Sequence, residues 1–153
     1  MRDHLAGSTS ALELLDHLIS LHAGTALEPF FTELRQEIDQ DRAALRDLVR
    51  KLGSDQSLVR NTAAWFAEKG ARVKLRFEDQ AGGPLARLEM LEALALGIEG
   101  KRSLWRALAT VSDAVPALGS VDLGWLEQRA AQQRERVEVR RLEAAREAFR
   151  PAP

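Results

Sequence analysis

Asp41 is the residue of this sequence best placed to do chemistry, because of the company it keeps. Between Thr25 and Gly53, Leu27, Phe31, Leu34, Ile38, Leu45, Leu48 and Leu52 follow at steps of four and three, the spacing of one helix face, with one gap. Asp41 fills that gap. A carboxylate on a buried face is costly unless something satisfies it. An inward arginine, Arg102 or Arg141, would do so as an ion pair, and a solvated seam between helices would do so by hydration. Gln133 holds an inward position in the last helical pattern, so Asp41, Arg102, Gln133 and Arg141 are the candidate buried polar groups. Buried polar pairs of this kind can fix the register in which helices associate.

Other chemistries find little support. Cysteine and tyrosine are both absent, which removes thiol nucleophiles, thiolate metal sites, disulfides and phenolic acids together. His17 and His22 are five apart and share a helix face poorly, and His4 falls in the first turn of the chain, expected to be frayed. No serine–histidine constellation is present, so catalysis by thiol or serine–histidine chemistry has no candidate residues, and the sequence leans away from an enzyme without deciding it. Gly97-Ile98-Glu99-Gly100-Lys101-Arg102-Ser103 looks superficially like a phosphate-binding loop. That loop needs four residues between its glycines, then Lys and Ser or Thr, directly after a strand. Gly97 and Gly100 instead sit inside a helical pattern, where each costs roughly 1 kcal/mol against alanine. Close approach of a neighbouring helix, or a local bulge, is the expected return.

Composition points to a helical protein of ordinary polarity. The 153 residues are 45% hydrophobic and 29% charged, with 22 basic against 23 acidic side chains and a formal charge of -1. That balance offers no footprint for nucleic acid or an anionic membrane. Arg134, Arg136, Arg140 and Arg141 alternate with Glu135, Glu138 and Glu143, the pattern of a salt-bridged, solvated face. Asp3, His4, Glu13 and Asp16 interrupt any signal-peptide core, and no apolar run approaches the ~18 residues of a membrane span, so a cytoplasmic location is expected.

The elements that must position Asp41 are helices, expected over about 10–23, 26–52, 57–70, 84–111 and 122–149. Ser10 with Glu13, and Thr25 with Glu28, have the capping-box spacing. Pro84 opens the helix that carries Leu88, Leu91, Ala95, Ile98 and Trp105, and Asp122 is a good N-cap for the last helix. Trp65, Trp105 and Trp125 read as core or interface. Residues 71–79 are ambiguous: Val73 to Phe77 alternates as a strand would, in a chain with no second strand to pair with.

Loop lengths set the topology. A tight corner follows the first helix, about thirty residues separate the second and third long helices, and some nine precede the last. A helix of 27 residues is ~40 Å long, which a thirty-residue link can retrace. The second and third long helices should then run parallel, with one long crossover between hairpins. Over positions 10 to 149, in helix lengths, loop lengths and the Phe30-Phe31 to Gly53 helix, the chain resembles the ferritin-like superfamily. The resemblance implies an all-α, ferritin-like four-helix bundle, two antiparallel helical hairpins joined by a long, partly helical crossover, in a single domain spanning 1–153.

The resemblance also implies a di-metal centre built from two Glu-x-x-His pairs and two further glutamates, and those pairs are missing. The residues three before His4, His17 and His22 are Met1, Leu14 and Ile19. The leading expectation is therefore a bundle whose metal site is lost, without a cofactor, acting as a structural or association module: a homo-oligomer, a dimer above all, or one half of a complex with a protein partner. An alternative is a di-metal iron or manganese oxidase or store with a nonstandard ligand set, Glu13, His17, Glu37, Asp41, Glu92 and Glu99, since carboxylates alone can hold hard cations. A second alternative is a small-molecule binder with an apolar site between helices, near Gly97 and Trp105.

Overall fold

The computed structural model describes residues 1–52 and 83–150, and all regular structure among them is helical. Four long helices account for most of it: α1 (Arg2–Leu21), α2 (Glu28–Leu52), α3 (Pro84–Ala109) and α4 (Leu123–Ala148). Two single turns of 3-10 helix, Ser112–Ala114 and Pro116–Leu118, connect α3 to α4. The helix expected over 57–70, the ambiguous stretch 71–79 and Trp65 lie outside the described residues. No helix among the described residues is long and apolar enough to cross a membrane.

Helix α1 starts at Arg2, eight residues before the expected Ser10. Met1 and Leu5 pack on the core, so tertiary contact holds the first two turns helical. The hydroxyls of Ser8 and Thr9 are absorbed inside the helix, both donating to the Leu5 carbonyl at 2.7 and 3.2 Å. His4 is half-buried in this first turn, and burial together with the nearby N-terminal ammonium pushes its imidazole down to about 4.

The corner between α1 and α2 is made by Gly24, whose φ of 75° is the left-handed conformation that favours glycine. The Glu28 carboxylate accepts from the Gly24 N–H at 2.6 Å, and Thr25 Oγ1 accepts from the Leu27 N–H at 3.3 Å while donating to the His22 carbonyl at 2.7 Å. The Thr25–Glu28 pair thus satisfies backbone groups of the corner, and α2 begins at Glu28 rather than 26. At α4 the Asp122 side chain accepts from the Trp125 N–H at 2.8 Å, the expected cap.

Cross-helix bonds fix the directions. Arg87 pairs with Glu147, Glu92 with Arg141, Lys101 with Gln133 and Arg102 with Glu127, so α3 and α4 are antiparallel. Arg136 reaches Glu33 and Glu37 while Arg129 reaches Gln40 and Asp41, so α2 and α4 are antiparallel too. Consequently α2 and α3 run the same way. Leu15, Leu18, Phe31, Leu34, Leu48, Leu91 and Trp105 are among the fully buried side chains of the shared core. Among the described residues helices α3 and α4 form the most extensive helix–helix contact, and small residues, Ala95 on α3 and Ala130 and Ala144 on α4, are buried in the core.

Candidate functional site

Helix spacing brings four polar side chains to the middle of this core. Asp41 continues the buried line of α2 from Leu34 and Ile38, and its residue is only 1% exposed. On α3, Leu94, Ile98, Lys101 and Trp105 follow at steps of four, three and four, so Lys101 points inward. On α4, Leu126, Arg129 and Gln133 do the same.

The cluster closes on itself. One Asp41 oxygen accepts from Lys101 Nζ and, at 3.2 Å, from Gln133 Nε2; the other accepts from an Arg129 amino group. Lys101 also donates to Gln133 Oε1 at 2.6 Å, and Arg129 donates to Gln40 Oε1 at 3.0 Å. The side chains of Lys101 and Arg129 are 14% and 12% exposed, so both charges are largely desolvated. Arg129 also stacks over the Trp125 ring, 4.1 Å from its centroid, which covers the cluster on its outer side. Burial lowers the Lys101 amine from its ordinary range, Arg129 adds to that, and Asp41 opposes it.

Arg102 and Arg141, the expected partners of Asp41, do not reach it. Both are half-buried, Arg102 bonding Glu127 at 2.6 Å and Arg141 bonding Glu138 at 2.6 Å and Glu92 at 3.3 Å. Their stripes drift to the α3–α4 rim, where glutamates across the hairpin take them. Glu138 accepts from Arg141 and Arg134 together, and these bonds hold its carboxyl down to about 2. Lys101 and Arg129 are the residues that sequence reasoning missed, although each sits at inward spacing one turn from a buried leucine or isoleucine.

The nonstandard metal set does not assemble. Glu13 and His17 are exposed on α1, Glu37 pairs with Arg136, Glu92 with Arg141 and Glu99 with Arg102 at 3.8 Å, and Asp41 is held as above. Among the described residues no three histidine, aspartate or glutamate side chains converge as ligands. Among the described residues the centre of the bundle does not fit a di-metal group: the carboxylate there is that of Asp41, and both its oxygens already accept from side-chain cations. Gly97 also departs from expectation. Helix α3 runs unbroken through both, and a Cβ on the exposed Gly97 would meet nothing within 4 Å, so close packing is not its role; Gly100 is half-buried. Trp105 is completely buried in the core. A cavity of about 30 Å³, room for one water, lies at the opposite end of α3, lined by Leu27, Phe31, Arg87, Leu91, Arg140, Glu143 and Glu147.

Comparison with protein-family models, with curated proteins and with solved structures finds no match.

Proposed function

We propose that this chain is a ferritin-like bundle without metal chemistry whose role is association, with a second copy of itself or with a protein partner, in the cytoplasm. The observation that carries the reading is the Asp41–Lys101–Arg129–Gln133 cluster. At mid-bundle, where the ferritin-like resemblance implies divalent cations bridging carboxylates, an ammonium and a guanidinium are bound covalently to the chain and neutralise the carboxylate. Such a cluster fixes how the hairpins register and leaves no ligand position open. The shared direction of α2 and α3, and the chain length between Leu52 and Pro84, support the long crossover of that superfamily. Exposed apolar residues, Leu96 at 74% and Phe149 at 71% foremost, support a role in contact.

The test is metal content by mass spectrometry on protein purified without chelators, before and after anaerobic Fe(II) or Mn(II) loading. Background metal in both samples is the expected result. About two metals per chain, lost in Asp41→Ala and Glu37→Ala, would overturn the reading in favour of the di-metal alternative.

A further inference from the structure

The outer face of α4 carries a pattern that the fold leaves exposed. Trp125, Gln128, Gln132, Glu135, Val139, Leu142, Arg146 and Phe149 follow at alternating steps of three and four, and every one of them is exposed. That is the a/d spacing of a coiled-coil seam, on the side of the helix away from its own core. On α3, Leu85 and Leu96 lie along the line of Glu92, which bonds Arg141, so both flank this seam. The α3–α4 register places Leu96 near the level of Val139 and Leu85 near Phe149.

Charge then selects the occupant. Every charged side chain of α4 forms an ion pair among the described residues, except Glu135 and Arg146. Both lie in the seam. They are placed symmetrically about a point between Arg140 and Arg141, and so are Val139 and Leu142. A two-fold axis through that point, perpendicular to the helix, sets Glu135 against Arg146 of a second copy, Arg146 against its Glu135, and Val139 against its Leu142. A parallel pairing would instead oppose like charges at both positions.

Resting on the association reading above, we propose that this face binds the same face of a second copy of this chain, with the two α4 helices antiparallel and the Val139–Leu142 step at the two-fold axis. The interface is isologous, so each favourable contact occurs twice.

Charge reversal tests it, read by sedimentation equilibrium over a concentration series, with circular dichroism confirming that these exposed substitutions leave the helices intact. Wild type should be a dimer. Glu135→Arg and Arg146→Glu, each alone, replace two attractions with two repulsions and should weaken self-association on the order of tenfold or more. An equimolar mixture of the two variants should associate again, because each supplies the charge the other lacks; the double variant E135R/R146E should dimerise alone. A wild-type dimer whose strength neither single variant changes, or a mixture that stays monomeric, would overturn this surface while leaving association itself standing. A strictly monomeric wild type would overturn the surface and self-association together.

Discussion

Helix α4 is held on one flank by closeness and on the other by reach. Toward α3 the backbones come close, and each of the two helices buries small residues, Ala130 and Ala144 on α4 and Ala95 on α3. Toward α2 the space is wider, and Arg129 and Arg136 fill it with long side chains that end on Asp41, Glu33 and Glu37. The first flank resembles a packed core, in which volume decides stability. The second is an electrostatic seam, in which pairing decides it. The same helix therefore should answer to two different kinds of substitution.

The largest effect should come from the seam. Asp41→Ala leaves Lys101 and Arg129 facing one another in a desolvated site, a loss of about 3–5 kcal/mol by the precedent of broken buried pairs. Urea unfolding of the variant measures it, and a loss under about 1 kcal/mol would mean that the seam is wet and well screened. The packed part of the core should respond to added volume: Ala144→Leu overfills a fully buried position and costs about 1–3 kcal/mol, while Asp41→Ala adds no volume there. Equal sensitivity of both flanks to added methylenes would erase the distinction.

Titration sharpens the comparison further. Lys101 is depressed in the folded chain, so between its lowered pKa and 10.5 the unfolded chain binds more protons, and stability should rise with pH across that window. Lys101→Met should remove that component of the slope in a pH series of unfolding curves. Glu138 behaves oppositely in its range. Its carboxyl, held down to about 2 against an ordinary 4.5, contributes stability that is complete above 4.5 and is lost as the pH falls to about 2. Glu138→Gln should flatten that acid limb only slightly, because the Arg134 and Arg141 pairs are solvent-accessible.

Periodicity made the four long helices and two of the buried polar residues legible. The steps of four and three placed Asp41 and Gln133 in the core, where they are. They did not name the partners. A long cation can reach inward from a core position or lie along the rim, and the distance to the next helix decides which. Lys101 turns in to Asp41 and Gln133; Arg102 and Arg141, on the α3–α4 flank, are caught by Glu127, Glu138 and Glu92. The start of α1 was hidden for a related reason. Ser10 and Glu13 carry a capping pattern, but the packing of Met1 and Leu5 outweighs it. Local signals fix where a helix can begin, and tertiary contact fixes where it does.

Because α2 and α3 run in the same direction, the assembly has an order in time. Each hairpin closes over a short connection, whereas Asp41 is 60 residues from Lys101 and 88 from Arg129. Contacts that distant must wait for the chain between Leu52 and Pro84 to bring one hairpin back along the other, and that closure is unrewarded until they form. The central cluster should then latch after the folding barrier, acting as a brake on opening rather than a nucleus for collapse. The expected kinetic signature of Asp41→Ala is a faster unfolding limb with refolding nearly unchanged, and a slowed refolding limb would place the cluster at the barrier instead.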